Sequence, residues 1–172
     1  MIPAREAARA VSGMSDPSLQ VQVNGIDLTA KEIHAYASPV SIDFSNRERV
    51  LASTVPIEPV DGWWHLEPGA YMIVYNEKVS IPLDRVGLLF PRSSLMAGGV
   101  FIATAVWDSG FRGRGRGMVI VGNKHGANIK VGARVAQLVL FKTERVEAGY
   151  SGIHQGDQDP PAPLPRRPTP RR

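Results

Sequence analysis

Pro68-Gly69-Ala70-Tyr71-Met72-Ile73-Val74-Tyr75-Asn76-Glu77 decides how the rest of the chain is read. Pro68-Gly69 is a turn signal, Tyr71 to Tyr75 is an unbroken apolar and aromatic run, and Asn76-Glu77 closes it. Side chains of a strand alternate between two faces, so a run that is apolar at every position is expected to be buried on both. Working outward, runs of the same kind recur at Val86 to Phe90, Val100 to Val106, Met118 to Val121 and Arg134 to Phe141, separated by Gly-, Pro-, Asn- and Asp-bearing segments. No helical pattern of about ten residues lies between them, so the pattern predicts an all-β chain. The expected form is a distorted antiparallel β-barrel or jelly-roll-like sandwich rather than a parallel α/β sheet. Pro3 to Val11 reads as one short helix, with proline early, alanines following and Gly13 ending it.

The 172 residues carry 20 Lys and Arg against 16 Asp and Glu, a formal net charge of +4. Arg166, Arg167, Arg171 and Arg172 account for the whole excess, because no acid follows Pro161 and the preceding chain balances. A neutral body excludes the clustered basic surface that specific nucleic-acid binding requires. Residues 160 to 172 hold six of the 14 prolines and almost nothing apolar, so the tail is expected to be disordered. The domain division that follows is a β domain over residues 1–156 and a Pro/Arg-rich tail over 157–172. No apolar run approaches the ~20 residues of a spanning helix, so no membrane association is expected. Met1 to Gly13 contains Arg5, Glu6 and Arg9 and lacks the apolar stretch of a signal peptide. The chain has no cysteine, which removes disulfides, a thiolate nucleophile and cysteine-ligated metals, and a cytoplasmic location is the natural expectation.

Several features have plain structural explanations. His34, His65, His125 and His154 show no paired ligand spacing. Trp63-Trp64 is expected to be core or a subunit contact. The cluster Asp43, Arg47, Glu48 and Arg49 reads as a solvated face. Arg112-Gly113-Arg114-Gly115-Arg116-Gly117 is expected to form a glycine-rich hairpin with exposed arginines rather than a nucleic-acid tract.

Four segments are too polar and glycine-rich for ordinary strand interiors: Asn24-Gly25-Ile26-Asp27-Leu28, Pro91-Arg92-Ser93-Ser94-Leu95, Trp107-Asp108-Ser109-Gly110-Phe111-Arg112-Gly113, and Val131-Gly132-Ala133-Arg134-Val135-Ala136-Gln137-Leu138. Singly each is bland, since Arg-Ser-Ser suits a helix N-cap and Asp-Ser-Gly suits a turn. In this order they resemble the motifs of the dUTPase and dCTP deaminase superfamily. Asn24 to Ala30 is similar to its first motif, Ala-Gly-x-Asp-Leu-x-Ala, and Pro91 to Leu95 to its second, Pro-Arg-Ser-(Gly/Ser)-Leu. Ala105 to Gly113 is similar to the third, Gly-x-Ile-Asp-x-x-Tyr-x-Gly, with Trp107 and Phe111 departing from it. Gly132 to Leu138 resembles the fourth, Gly-x-Arg-(Ile/Val)-Ala-Gln-Leu.

The resemblance implies a β-barrel-like homotrimer with sites between subunits, and a deoxynucleoside triphosphate substrate. Arg92, Ser93, Ser94 and Gln137 would bind phosphates, a role that suits a guanidinium and fixed hydroxyl and amide donors. Asp108 would orient and deprotonate the attacking water. Asp27 would stand near Mg²⁺ through water, an ion that keeps several waters and rarely has an all-protein cage. Phe111 would pack under the deoxyribose, and the backbone of Ala103 to Val106, Ala105 and Val106 included, would read the pyrimidine. Gly149-Tyr150-Ser151-Gly152-Ile153-His154-Gln155-Gly156 resembles the deaminase branch's Tyr-x-Gly-Lys-Tyr-Gln-Gly, which implies a lid bringing Tyr150 and Gln155 to the nucleotide; a solvent loop is the alternative.

Deaminating members use a glutamate in the strand after the third motif, in a pattern like Val-Leu-Glu-Phe. Aligned on Asn123, that position is Ile120, and no acid lies between Asp108 and Glu144. Isoleucine transfers no proton, and losing a general acid/base costs roughly 10² to 10⁴ in rate. The expectation is therefore hydrolysis of dUTP to dUMP and pyrophosphate, which would supply dUMP and limit uracil in DNA. A dCTP deaminase or bifunctional enzyme is the alternative, and a non-catalytic deoxynucleotide-binding regulator is a reading of another class.

Overall fold

The computed structural model describes residues 1–156. The expectation of a disordered tail falls on residues 157–172, outside the described ones. Among the described residues the strands are β1 (Val11–Ser12), β2 (Ile26–Tyr36), β3 (Thr54–Pro56), β4 (Trp63–Leu66), β5 (Gly69–Ser80), β6 (Arg85–Pro91), β7 (Val100–Ala103), β8 (Arg112–Val121), β9 (Ala127–Lys130) and β10 (Arg134–Lys142). Three short helices accompany them: α1 (Ala4–Ala7), α2 (Pro17–Gln20) and α3 (Ser93–Ala97).

One sheet runs β6-β10-β2-β5-β8-β7, with β1 paired to β5 and β3 to β2, while β4 and β9 form a separate ribbon. All these pairings are antiparallel. The two ends of the sheet meet where Gly87 of β6 and Trp107, just past β7, exchange two backbone hydrogen bonds of 2.9 Å. Closure of this kind removes exposed strand edges, and the result is a nearly closed antiparallel barrel. Its interior holds Ile26, Leu28, Ile33, Ile73, Val119 and Leu138, all buried.

β5 lies between β2 and β8, and Met72, Ile73, Val74 and Tyr75 are all buried, as the apolar run requires. The N-terminal helix is shorter than expected. A single α turn passes into a 3₁₀ turn over Ala8–Ala10, and Val11 then pairs with Val79 as part of β1. A β-branched valine beside an open stretch of β5 gains more from a ladder than from a frayed helix end.

The Arg-Gly alternation is a strand, not a hairpin. Period-2 alternation on β8 places the glycines where large rings lie against the backbone. A Cβ on Gly115 would stand 2.2 Å from the Trp107 ring, and one on Gly117 would stand 2.6 Å from the Tyr75 hydroxyl. Arg114 turns back to donate to the carbonyls of Tyr75 and Asn76, where the β5–β8 register slips between Val74 and Lys78. Trp64 is core and donates its indole N–H to Ile57 O at 2.7 Å, whereas Trp63 is exposed with Lys130 Nζ 5.6 Å from its ring.

Candidate nucleotide site

Antiparallel register sets Gln137 of β10 opposite Asp27 of β2 on one side and Phe90 of β6 on the other. Three of the four motif segments therefore meet at one end of the barrel. Asp27 is 0 % exposed. Its Oδ2 forms an ion pair with Arg92 Nε at 3.0 Å and accepts from Arg134 Nη1 at 3.3 Å, and its Oδ1 accepts from Gln137 Nε2 at 3.2 Å. Arg134 Nη1 also donates to Leu19 O at 2.5 Å. Two guanidiniums around one carboxylate leave the cluster cationic. Arg92 faces Asp27 through its Nε, and its terminal nitrogens make no hydrogen bond among the described residues. Those nitrogens are the fork that grips phosphate oxygens bidentately. Ser93 and Ser94 follow directly on the exposed first turn of α3.

Asp27 does not fit the expected contact with magnesium-bound water. Both its oxygens are engaged by cationic or amide donors and the side chain has no solvent access. Among the described residues no group of three or more His, Cys, Asp or Glu side chains could hold a metal ion. A carboxylate in this setting anchors arginines.

Asp108 has a different surrounding. A cavity of about 260 Å³ is lined by Ala105, Val106, Asp108, Phe111, Arg116 and Tyr150, among others. Trp107, Phe111 and Tyr150 form a chain of tilted rings with centroids 5.6 and 5.9 Å apart, a geometry aromatic quadrupoles favour. The turn bearing Asp108 is fixed from several sides. Phe111 N donates to Asp108 O at 3.0 Å, Gly110 N to Ile81 O at 3.0 Å, and Ser109 Oγ to Arg85 O at 2.6 Å. Asp108 itself is exposed.

Residues 149–156 dock on this turn. Tyr150 N donates to Ser109 O at 2.8 Å and Gly156 N to Arg112 O at 2.8 Å. Gly110 and Gly149 approach so closely that a Cβ on Gly110 would stand 2.6 Å from the Gly149 Cα. Tyr150 reaches the cavity. Gln155 does not line it. Its Nε2 donates to Gly110 O and Tyr150 O, both at 2.9 Å, and its Oε1 accepts from Arg112 N at 2.8 Å. Gln155 thus ties the segment to the turn that carries Asp108.

The phosphate-type cluster and the Asp108 cavity are separate within one chain. Trp107 is level with Gly87 on β6, and Arg92 stands five residues further along, roughly 17 Å of extended chain. Arg92, Ser93, Ser94 and Gln137 are absent from the cavity lining.

Several cavity residues received no site role from the sequence: Trp107, Arg116 and His154. The alternation of Arg with Gly was the available signal, since small residues on one strand face make room for rings and leave long side chains beside them. Burial, with Arg116 and Arg49 nearby, holds the His154 imidazole below its usual pKa. Glu77 and Gln20, both fully buried, were also missed.

The dCTP deaminase-like family profile matches residues 4–143. A chain from Methanococcoides burtonii named "Probable deoxyuridine 5'-triphosphate nucleotidohydrolase" is 43% identical over 149 residues, covering 86% of this chain and 88% of that one. A chain of the same name from Aeropyrum pernix is 39% identical over 137 residues, covering 80% and 83%. Among solved structures, the 2'-deoxycytidine 5'-triphosphate deaminase from Agrobacterium tumefaciens aligns with a TM-score of 0.58 at 20% identity. That match covers 81% of this chain and 46% of the Agrobacterium chain, and it bears on the fold alone.

Proposed function

The chain belongs to the dCTP deaminase-like family, and from that premise we propose that it hydrolyses dUTP to dUMP and pyrophosphate. The observation that carries this choice over deamination is the cavity lining, in which Asp108 is the one carboxylate among the described residues. Hydrolysis needs one base for one water. Deamination at C4 needs a further proton shuttle at the base, and the position that would supply it, Ile120, is apolar and paired with Ala70 and Phe101 on the neighbouring strands.

The pyrimidine and deoxyribose occupy the cavity, with Ala105 and Val106 at the base and the Phe111 face against the sugar. A 2'-hydroxyl there would be crowded and left without a partner, which disfavours UTP. Arg92, Ser93, Ser94 and Gln137 bind the phosphates. Asp108 accepts the proton of a water that attacks the α-phosphorus in line, the bond to the α,β-bridging oxygen breaks, and pyrophosphate leaves. A magnesium ion of the kind the resemblance implies would be held chiefly by triphosphate oxygens and water, and would supply charge neutralisation there; no step runs through Asp27.

Asp108 and Arg92 must act on the same triphosphate, yet within one chain the cavity and the arginine cluster share no lining residue. The complete site therefore combines the cavity of one chain with the arginine cluster of another, as in a homotrimer with sites at its interfaces. Incubation of the purified protein with each deoxynucleoside triphosphate, UTP and Mg²⁺ tests the proposal. Rapid pyrophosphate release from dUTP alone is expected, and conversion of dCTP to a uracil nucleotide would overturn it.

A further inference from the structure

Glu77 is a carboxylate with 0 % exposure in the middle of the barrel wall, and none of the chemistry above uses it. Its surroundings are fully specified. Oε1 accepts from Gln20 Nε2 at 2.7 Å and from Thr29 Oγ1 at 2.7 Å, and Oε2 accepts from the Thr29 backbone N–H at 2.8 Å. No positively charged side chain pairs with it in these contacts, so the hydrogen bonds alone offset its desolvation. A site held this way has a reason beyond packing, because an apolar residue of similar size would avoid that cost.

Its partners lead to one place. The same Gln20 Nε2 that donates to Glu77 donates to Asp27 O at 2.9 Å. Thr29, bonded to Glu77 through both backbone and side chain, is two residues beyond Asp27 on β2, so it lies on the same face. Asn76 Nδ2 closes the group by donating to Thr29 Oγ1 at 2.9 Å and Ala30 O at 3.2 Å. Glu77 lies two residues past the last β2–β5 pair, Ala30 with Tyr75, and inside the stretch where the β5–β8 register slips between Val74 and Lys78. The ladder is broken on both sides of β5 there, and the carboxylate takes over the backbone N–H that the ladder leaves unpaired.

We infer that Glu77 is a positioning residue for the triphosphate: through Gln20 and Thr29 it fixes the Asp27 segment, and Asp27 in turn fixes Arg92 and Gln137. This rests on the assignment of Arg92 and Gln137 to the phosphates made above. A carboxylate accepts at every lone pair, whereas the amide introduced by Glu77→Gln would set an N–H₂ against the donors of Gln20 or Thr29. The substitution therefore disturbs the relay with almost no change of volume.

The test compares two ligands on the full chain. The phosphate of dUMP and its base engage mainly the cavity, and α,β-imido-dUTP adds the phosphates that Arg92 and Gln137 hold. For Glu77→Gln the Kd of α,β-imido-dUTP is expected to rise about tenfold or more, as loss of a well-made charged hydrogen bond implies. The Kd of dUMP stays within about twofold, and KM for dUTP rises more than kcat falls. Unchanged binding of both ligands, or equal weakening of both, overturns the inference, since a purely structural role moves them together. Should Glu77→Gln fail to fold, Gln20→Met removes the bridge to the Asp27 carbonyl, and the same pair of Kd values decides. A protein that releases no pyrophosphate from dUTP but shows this Glu77-dependent split would refute the hydrolase and keep the inference. Normal hydrolysis with no split would refute the inference alone.

Discussion

At Asp27 two guanidiniums and an amide converge on a carboxylate with no solvent access, whereas at Asp108 aromatic rings form the wall and the carboxylate stays exposed beside an open cavity. The Asp27 half is built from strand interiors whose register is fixed by the barrel. The Asp108 half depends on a turn and on residues 149–156 folded back over it. Similar aspartates in similar glycine-bearing motifs thus acquire opposite properties. One is spent on holding other side chains and the other is left available for chemistry. Pre-organised charge suits an anion site because the donors need no rearrangement when phosphate arrives. An exposed carboxylate suits proton acceptance from a bound water.

The sharpest way to break that contrast is to neutralise the exposed aspartate. Asp108→Asn is expected to lower kcat by about 10² to 10⁴, the usual range for a lost general base, with dUTP binding held within about tenfold. Persistent turnover would show that Asp108 is not the base. A smaller effect comes from the cavity wall. Gly115→Ala sets a methyl into the Trp107 ring, and overpacking of this kind costs about 1–3 kcal/mol. Thermal unfolding should show the loss, with dUMP binding weakened as the ring is displaced. An unshifted Tm would mean that Trp107 does not lie over β8. The smallest effect concerns His154, whose folded pKa is lowered from 6.5, first by burial and then by Arg116 and Arg49. Its neutral form is favoured in the folded chain. The associated stability is therefore complete above about pH 6.5 and is lost as pH falls through the depressed folded value. Exposure of the ring keeps the effect modest. Tm measured across this range should fall slightly more for the wild-type chain than for His154→Asn, and parallel curves would contradict the coupling.

Much of this architecture was legible in the residues. Tyr71 to Tyr75 announced a strand buried on both faces, and three of the segments singled out in the sequence meet through the β2–β10–β6 pairing. What escaped was long-range. Nothing local in Asn24 to Leu28 says that Asp27 will be enclosed by Arg92 and Arg134, because that follows from the β2–β10–β6 order. The Arg-Gly run looks like a flexible hairpin until Trp107 is known to lie across Gly115. The bonds of the Gln155 amide to Gly110 and Tyr150 are likewise invisible in the sequence. Glu77 is visible in sequence only as a charge closing an apolar run, and its purpose depends on Gln20 arriving from a distant turn.

On the proposed reading a working site joins the arginine cluster of one chain to the Asp108 cavity of another, and mixing two defective chains tests this most directly. Arg92→Ala and Asp108→Asn, each inactive alone, are unfolded together in equal amounts, refolded and assayed for pyrophosphate release from dUTP. Random assembly into a symmetric oligomer pairs an intact Arg92 with an intact Asp108 at about one site in four, so about a quarter of wild-type activity should return. Mixed oligomers that remain inactive would place both halves of the site in a single chain and contradict the account.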